Sequence, residues 1–427
     1  MKKPLGQWLA MIESMHPAEI ELGLERICKV YLRLPQLCDP VTVFTVAGTN
    51  GKGSTVKSIE ALGMALGKRV GTYTSPHLLS YNERIQINQE NASDQLLVDA
   101  FEEIEAVRAD IPLTYFEFGT LAALVIFARA DLDWIVLEVG LGGRLDAVNI
   151  VDPDVAVITT IDMDHENWLG DTREKIGYEK AGIIRKSSVV VCGDSDPPVS
   201  VKEKAQQAKW VCYRGREFDV AGDSFTCAVV TDRHREAEPE NRKTVIQRFG
   251  IPASSPVLVD NLITGVQAVA AAGESLHQDI IDQAAARIQL AGRQQLVGGR
   301  PRLLLDVGHN PQAAGALAGR IRELRESLSP SSVVCIVGML ADKNHKDSLS
   351  ELVPVVDEWY PVTLDAGSRS QPGATLAAIV SDLGGKVRAE CPSPLAALRQ
   401  ARTELPDDAL VVVFGSFYTV SDILAEA

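Results

Sequence analysis

The sequence predicts an α/β protein with parallel sheets, divided into two domains. Short β-branched runs alternate with stretches of helical periodicity, which is the pattern of parallel strands connected by helices. The predicted strands are apolar almost throughout, as expected where helices cover both faces of a sheet. The chain has 427 residues, of which 46% are hydrophobic and 23% charged. Because this is more chain than one hydrophobic core usually organises, two domains are expected.

The first half of the chain contains five predicted strands, with helices between several of them. These strands cover residues 41–46, 69–74, 134–139, 155–161 and 188–192. Residues 214–248 are densely charged and lack a helical period, which indicates a small β-rich region or a long exposed loop. Predicted helices at 260–272 and 278–289 come before Gly298 and Gly299, so we place the domain boundary near residue 297.

The second half starts a new and shorter α/β alternation. Strands are predicted at 302–307, 332–337, 358–364 and 409–414, with an amphipathic helix at 312–328. This pattern predicts a smaller, Rossmann-like domain over residues 298–427, after a first domain over residues 1–297.

Charge and apolar patterning exclude several kinds of partner. Lys and Arg number 42 against 57 Asp and Glu, a net charge of −15 that would repel a nucleic acid backbone. The longest apolar runs, such as 121–128 and 409–414, are far shorter than the roughly 18 residues that cross a bilayer. We therefore expect neither a nucleic acid nor a membrane partner.

The cysteines and the N-terminus indicate a reducing compartment. The seven cysteines are odd in number and form no C-x-x-C pair, which argues against a disulfide framework and a zinc cluster. The N-terminus lacks the apolar stretch and cleavage site of a signal peptide. We expect a cytoplasmic location.

A Gly-rich turn between a strand and a helix is the strongest local signal. In VTVFTVAGTNGKGST, residues 41–55, glycines allow backbone N–H groups to face an anion, and Lys52 adds a positive charge at the helix start. Val46 and Gly53 depart from a strict Walker A motif, and an ordinary Gly-rich turn is the alternative. The predicted phosphate ligands are Thr49, Asn50, Gly51, Lys52, Gly53 and Ser54.

Polar residues follow other predicted strands at the sheet edge where ligands bind in open parallel sheets. Glu138 ends an apolar strand, where a carboxylate suits magnesium or caps the next loop. His165 lies past another strand, as a metal ligand or a structural hydrogen-bonding residue. In the second half, Asp306 and His309 stand between a strand and a helix. Lys180, by contrast, has the sequence context of a solvated helix face.

Six motifs together resemble the folylpolyglutamate synthase family, and most closely its bacterial bifunctional members with dihydrofolate synthase activity. The Mur ligases are more distant relatives. The motifs occur in the family's order across nearly the whole chain. They are GTNGKGS at 48–54, TSPHL at 74–78, LEVGLGGRLD at 137–146, DH at 164–165, EKAGI at 179–183 and DVGHNP at 306–311.

The resemblance implies roles for both domains. Residues 1–297 would form a P-loop ATPase-like, Mur-ligase-like domain that binds ATP and pterin, and residues 298–427 would contribute to the ATP and glutamate sites. Two magnesium ions would be bound by Ser75, Glu138, His165 and a carbamylated Lys180. Asn261, Arg293 and Asp306 would join the nucleotide site, and the catalytic residues would be Lys52, Lys180 and His309.

The resemblance also implies a pterin site. The segment TYFE at 114–117 precedes a helix-like run, and its aromatic pair could equally be part of the core. By resemblance, its aromatic rings would stack on the pterin and its carboxylate would bind the pterin amino group. The substrate-binding residues would be Thr114, Tyr115, Phe116, Glu117, Leu145, Asp146 and Ala147.

The predicted function is that of an ATP-dependent ligase acting through an acyl phosphate. Its substrates would be dihydropteroate, reduced folates and L-glutamate, and its cofactors would be ATP and two Mg²⁺ ions. We expect the protein to be a monomer. A monofunctional folylpolyglutamate synthase, a Mur-type peptide ligase and a nucleotide-dependent switch are the alternatives. A switch would have no use for the substrate segments, and a Mur-type ligase would ordinarily carry another domain before Gly48.

Overall fold

The chain divides into two compact units, Met1–Gln289 and Leu290–Ala427. The computed structural model describes residues 3–16, 21–37, 40–230, 244–252, 255 and 257–426. Both units combine helices with a largely parallel sheet, which confirms the predicted α/β class.

The first unit is built on an eight-stranded sheet. Its spatial order is β4-β3-β2-β5-β1-β6-β7-β8, and the pairs that β3 makes with β2 and β4 are antiparallel while all others are parallel. All five strands predicted in the first half are present. The strands are β1 Thr42–Ala47, β2 Val70–Tyr73, β3 Ile85–Ile87, β4 Glu90–Asn91, β5 Trp134–Glu138, β6 Val155–Ile158, β7 Val189–Cys192 and β8 Trp210–Tyr213.

Helices pack around this sheet and bury its central strands. Every residue of β5 and β6 is buried, which explains why these strands are apolar without alternation. The helices are α1 Leu5–Met15, α2 Glu25–Tyr31, α3 Lys52–Ala65, α4 Asp94–Arg108, α5 Tyr115–Arg129, α6 Glu166–Leu169, α7 Arg173–Ala181, α8 Val199–Ala205, α9 Val259–Ala271 and α10 Gln278–Arg287. Helix α3 packs against α9 and α10, whereas α5 packs against α1 and α4.

A small antiparallel sheet lies within the charged segment that had no helical period. Its strands are β9 Asp219–Ala221, β10 Ser224–Val230 and β11 Thr244–Gly250, in the order β11-β10-β9. The expected β-rich region is therefore present, and residues 231–243 lie outside the described part of the chain. Helix α9 packs against β10.

The second unit has a five-stranded sheet in the order β12-β13-β16-β14-β15. The strands are β12 Gln295–Val297, β13 Arg302–Asp306, β14 Val333–Val337, β15 Glu358–Pro361 and β16 Leu410–Phe414; the helices are α11 Pro311–Leu328, α12 His345–Leu352, α13 Gly373–Asp382, α14 Pro394–Glu404 and α15 Phe417–Leu424. The four predicted strands are present. Strand β12 pairs with β13, so the second unit includes residues before 297 and begins at Leu290. The boundary expected from the sequence was near residue 297.

None of the described helices is both long enough and apolar enough to span a bilayer.

Two glutamines attach the small antiparallel sheet to helices α9 and α10. The side chain of the buried Gln267 accepts a hydrogen bond from the Ala228 N–H at 2.9 Å and donates one to the Ala228 carbonyl oxygen at 3.0 Å. Gln278 makes the same pair of bonds to Gly250 at 2.8 and 3.1 Å, at a solvent-exposed position.

We expect Gln267→Leu to destabilise the protein by about 2 to 4 kcal/mol, because two buried backbone groups lose their partners. Gln278→Leu is the matched control, since water can replace its amide, and should cost less than about 1 kcal/mol. Urea-unfolding midpoints of the two variants would measure the difference. Equal shifts would contradict the assigned role of the buried glutamine.

Candidate active site

The Gly-rich loop between β1 and α3 is fixed by residues that follow β6. The Thr49 N–H donates to the Thr160 carbonyl at 2.7 Å, and the Thr49 hydroxyl is 3.0 Å from both the N–H and the carbonyl oxygen of Asp162. The Thr159 hydroxyl donates to the Asn50 carbonyl at 2.6 Å. These hydrogen bonds hold the loop in its conformation.

Two glycines of this loop have no room for a side chain. A Cβ atom at Gly48 would lie 1.8 Å from the Thr159 hydroxyl oxygen. Gly51 has φ of 82°, and a Cβ there would lie 2.2 Å from Oδ1 of Asn261 on α9. The left-handed backbone at Gly51 allows α3 to begin at Lys52. The structure thus brings Asn261 to the phosphate loop.

Two lysine side chains meet at one carbonyl oxygen of the loop. The Nζ atoms of Lys52 and Lys180 donate to the Gly48 carbonyl oxygen at 2.9 and 2.8 Å. Burial, together with the positive charge of Lys52, lowers the pKa of Lys180 to about 7, against the opposing charges of Asp164 and Asp146. Lys180 is buried, so its interpretation as a solvated helical cation is wrong.

The charged neighbours of Lys180 on α7 have other partners. Lys175 pairs with Asp171 at 2.8 Å, and Glu179 pairs with Arg144 at 2.9 Å. The Arg144 N–H also donates to the Glu179 carbonyl at 2.8 Å, which attaches the C-terminal end of α7 to the loop after β5. These contacts orient the helix so that Lys180 faces the phosphate loop.

Two of the predicted metal ligands are adjacent at the end of β5. Glu138 is buried, and its Oε2 accepts a hydrogen bond from the Ser75 N–H at 3.1 Å. His165 stands just before α6 with φ of 52°, and its N–H donates to Oδ1 of Asp164 at 2.9 Å. The charge of Asp164 acts on Lys180, which places the Asp-His segment near the same lysine.

This donor set suits magnesium only if further oxygen atoms join it. Within the described residues, no group of three or more His, Cys, Asp or Glu side chains could hold a metal ion. Magnesium is usually bound by one or two protein groups together with phosphate oxygens and water. The adjacent Glu138 and Ser75 beside a phosphate loop fit that pattern.

The TYFE segment forms the N-terminal end of α5, with Thr114 as the N-cap and Glu117 in the first turn. The Thr114 N–H donates to Glu117 Oε2 at 2.8 Å, while the Glu117 N–H donates to the Thr114 hydroxyl at 3.2 Å, so the pair forms a capping box. Among the described residues, Glu117 Oε1 is a buried acceptor with no hydrogen-bond partner. Such an oxygen typically costs about 1–3 kcal/mol unless a ligand supplies a donor.

Aromatic packing brings the two predicted substrate segments together. Phe116 lies 5.8 Å from Tyr73 between ring centroids, and its ring leaves no room for a Cβ atom at Gly140. Gly140 belongs to the loop that leads to Asp146. Tyr115 packs edge-on against Tyr81 at 5.7 Å.

Asp146 is held under the loop that follows β5. Its two carboxylate oxygens accept the N–H groups of Leu141 at 2.8 Å and Val148 at 3.0 Å. Burial raises the pKa of Asp146 to about 6, although these backbone hydrogen bonds oppose the shift. Leu145 accepts a backbone hydrogen bond from Gly23 at 3.3 Å, and Ala147 is buried.

The second unit gathers its predicted residues at the C-terminal end of β13. Burial raises the pKa of Asp306 to about 6, and its Oδ1 accepts the Gly308 N–H at 2.6 Å. His309 Nδ1 lies 3.1 Å from the Val307 carbonyl oxygen, just before α11. The guanidinium of Arg293 lies 5.9 Å from the centre of the Phe417 ring and lowers the Asp306 pKa through its charge.

Sequence reasoning did not identify several residues that shape these sites. Thr159 and Asp162 fix the phosphate loop, and their place at the end of the predicted strand 155–161 and just after it was a usable signal. No sequence pattern predicts the roles of two arginines. Arg84 donates to His77 Nδ1 at 2.8 Å, and Arg26 donates to Glu117 at 3.0 Å.

Comparisons with protein families match both units. Residues 46–219 match the Mur ligase middle domain, and residues 292–417 match the Mur ligase glutamate ligase domain. The chain is 40% identical over 422 residues to the dihydrofolate synthase/folylpolyglutamate synthase of Escherichia coli strain K12, covering 99% of this chain and 95% of that protein. The protein of the same name from Haemophilus influenzae is 35% identical, covering 99% and 97%.

Solved structures show the same similarity. E. coli FolC in complex with DHPP and ADP matches with a TM-score of 0.86 at 38% identity, over 99% of this chain and 97% of that one. A bifunctional folylpolyglutamate synthase/dihydrofolate synthase with Mn, AMPPNP and L-glutamate bound matches with a TM-score of 0.87, also at 38% identity, over 99% and 98%. A folylpolyglutamate synthase of Mycobacterium tuberculosis complexed with ADP and AMPPCP has a TM-score of 0.81 at 27% identity, over 99% and 98%.

We expect Gly51→Ala to weaken ATP binding at least about tenfold, because the new Cβ would displace Asn261 and strain the loop. Gly67→Ala is the control, since Gly67 has a similar φ of 76°, but no atom of the described residues lies within 4 Å of the place where its Cβ would be. Calorimetric titration with ATP would measure both variants. Equal affinity in Gly51→Ala and the unchanged protein would contradict this loop geometry.

Proposed function

This chain belongs to the dihydrofolate synthase/folylpolyglutamate synthase family of Mur ligases, and we propose that the residues around its phosphate loop carry out that family's reaction. The protein is an ATP-dependent ligase. It adds L-glutamate to dihydropteroate, giving dihydrofolate, and to the γ-carboxylate of reduced folates, giving polyglutamates. Its cofactors are ATP and a divalent metal ion.

The relatives bear on the alternatives that the sequence left open. Those from E. coli and H. influenzae are named for both synthase activities and match this chain over 99% of its length. These matches favour the bifunctional ligase over a monofunctional synthase, a peptide ligase acting on a sugar nucleotide, and a switch.

The observation that carries the residue roles is the meeting of two lysines at the Gly48 carbonyl oxygen. Lys52 Nζ, 2.9 Å from this oxygen atom, places a positive charge at the loop, while Lys180 Nζ, at 2.8 Å, has its pKa lowered to about 7. A triphosphate supplies the negative charge that this position favours, and the backbone N–H groups at the start of α3 add hydrogen-bond donors. We therefore assign the β- and γ-phosphates to Lys52 and to residues 49–54.

The proposed chemistry has two displacements. A carboxylate oxygen of the acceptor attacks the γ-phosphorus, the bond to the β-phosphate oxygen breaks, and ADP leaves. The amine of glutamate then attacks the acyl carbon, the bond to phosphate breaks, and the amine loses a proton. Lys52 would stabilise the charge that develops on the transferred phosphoryl group.

The proposed metal-binding roles rest on the carboxylate, hydroxyl and imidazole groups beside the loop. Glu138, Ser75 and His165 would hold magnesium, which neutralises phosphate charge when bound. Lys180 would hold a second ion after it forms a carbamate. Its neutral Nζ is the nucleophile for carbon dioxide, and burial next to Lys52 makes the neutral form accessible near pH 7.

The substrate and second-unit roles rest on buried polar groups. Glu117 Oε1 has no donor within the described structure, so it would accept an N–H group of the pterin. Asp146 accepts the N–H of Leu141, next to Gly140 against which Phe116 packs, and would be the second pterin ligand. Asp306 ends β13 and His309 follows it, at the strand end where parallel sheets bind ligands, and the charge of Arg293 acts on Asp306. We assign these three residues to nucleotide binding and catalysis.

We also propose that the protein acts as a monomer in the cytoplasm. The cysteines in the described ranges, Cys28, Cys192, Cys212, Cys227, Cys335 and Cys391, are all free thiols. Such cysteines are typical of a reducing compartment.

Radiolabelled glutamate tests the function directly. The purified protein, ATP and magnesium are incubated separately with dihydropteroate, tetrahydrofolate or a uridine-nucleotide peptide precursor. Label should enter products of the first two acceptors and depend on ATP. Label in the third product alone, or in none, would overturn the proposal.

We expect Glu117→Ala to raise the KM for dihydropteroate at least about tenfold, and to affect a folate with a glutamate tail less, because the pterin contact is a larger share of dihydropteroate binding. The variant also loses a helix cap. Ser93→Ala, which removes the N-cap of α4, controls for that loss of stability and should leave both KM values unchanged. Steady-state kinetics with both acceptors would measure the effect, and an equal loss with both would indicate a structural role.

Lys180→Arg should abolish ligation, because guanidinium stays charged and cannot form a carbamate. Lys175→Arg, at an exposed position on the same helix, is the matched control and should remain active. Glutamate incorporation would measure both. A fully active Lys180→Arg protein would show that the carbamate assignment is wrong.

The pH dependence of activation by carbon dioxide provides a further test. The pKa of Lys180 is lowered to about 7, so the lysine is mostly protonated below that pH and mostly neutral above it. At constant dissolved CO₂, activation of CO₂-depleted protein should therefore increase from about pH 6 to about pH 8. The reverse trend would contradict a neutral lysine as the reacting group.

A further inference from the structure

The two oxygens of the Glu117 carboxylate have different surroundings. Oε2 accepts the Thr114 N–H at 2.8 Å and Nε of Arg26 at 3.0 Å. Oε1 is buried, and the described residues offer it no hydrogen bond. One oxygen of the carboxylate is therefore saturated with donors while the other is left for a ligand.

Arg26 reaches Glu117 from the N-terminal part of the chain and is held on both sides. Its Nη1 contacts the side chain of Glu21, and its Nη2 donates to the Glu21 carbonyl oxygen at 2.6 Å. The Glu21 side chain is half exposed, whereas that of Glu117 is only 4% exposed. The guanidinium thus connects an exposed carboxylate to a buried one.

Pairing with Arg26 determines which kind of hydrogen bond Glu117 can make. Nε of Arg26 and the Thr114 N–H both donate to Oε2, so that oxygen is occupied by a charge-assisted and a backbone hydrogen bond. The other carboxylate oxygen, Oε1, is presented as a hydrogen-bond acceptor. The edge of a pterin presents an amino group and a ring N–H, which are both donors.

We propose that Arg26 is a positioning residue for the acceptor substrate, because it occupies Glu117 Oε2 and so presents Oε1 to the N–H groups of the pterin. This inference rests on the proposed function, in which Glu117 binds the pterin. Arg26 itself acts only through Glu117.

A second contact of the same segment supports this role. Gly23, three residues before Arg26, donates its N–H to the Leu145 carbonyl oxygen at 3.3 Å. Leu145 begins the second substrate segment, and Glu117 belongs to the first. Residues 21–26 therefore contact both segments. Arg26 and Glu117 are 91 residues apart in sequence, so no local sequence pattern predicts their contact.

Arg26→Met removes the charge and the hydrogen bonds while keeping much of the side-chain volume. We expect the KM for dihydropteroate to rise at least about tenfold, with kcat and the KM for ATP within about twofold of the unchanged protein. Glu21→Gln is the matched control, since it weakens only the exposed partner of Arg26 and should leave the KM for dihydropteroate within about twofold.

Chemical rescue separates positioning from a loss of folding. Guanidinium ion added at millimolar concentration to Arg26→Ala should lower the KM for dihydropteroate in a concentration-dependent manner. The double variant Arg26→Ala/Glu117→Gln should show no rescue, because the carboxylate that the ion would pair with is absent.

Three results would overturn the proposal. One is an unchanged KM for dihydropteroate in Arg26→Met, another is a proportional rise in the KM values for ATP and dihydropteroate, and the third is equal rescue with and without the Glu117 carboxylate. Ligation by the unchanged protein remains in all three cases. Its absence would instead contradict the proposed function itself.

Discussion

The carbonyl oxygen of Gly48 is the point on which the rest of the site depends. It accepts hydrogen bonds from Lys52 on the helix that follows the loop and from Lys180 on a helix more than a hundred residues later. Two like charges at one oxygen repel each other strongly in a buried setting. The structure reduces this repulsion by lowering the pKa of Lys180 to about 7. In the proposed roles, Lys52 supplies the positive charge for phosphate, and the lowered pKa gives Lys180 a neutral form that can react with carbon dioxide.

Three other carboxylates of the candidate sites are also buried and held by hydrogen bonds. Asp146 and Asp306 each accept two or more backbone N–H groups, and burial still raises the pKa of each to about 6. Glu117 has its charge balanced by Arg26, and none of the described residues donates a hydrogen bond to its second oxygen. In each case the protein holds a carboxylate out of water and leaves it sensitive to what binds nearby. Such groups are typical of ligand-binding sites, because a structural ion pair would normally be satisfied on all sides.

The nine strands that the sequence predicted are almost entirely buried, and they were recognisable as apolar runs. Strands β3, β4 and β8 of the first sheet were not predicted. The phosphate loop was also predictable, since its glycines and Lys52 follow directly from the chemistry of anion binding. The burial of Lys180 was not predictable, because the alternating charges of α7 are typical of a solvated helix face. In the structure, Glu179 pairs with Arg144 and Lys175 pairs with Asp171, and Lys180 is buried. Strand β12 was missed because it is short and antiparallel, and the Arg26–Glu117 pair joins residues that no local pattern connects.

In the proposed mechanism, a phosphoryl group passes to the acceptor carboxylate before the amide forms. Dihydropteroate labelled with ¹⁸O in both carboxylate oxygens tests this claim most directly, with the released phosphate analysed by mass spectrometry. We predict that one labelled oxygen appears in inorganic phosphate and the other remains in the new amide, because the bridging oxygen leaves with phosphate. Phosphate without label, formed together with dihydrofolate, would contradict an acyl phosphate and with it the central role given to the Gly48 loop.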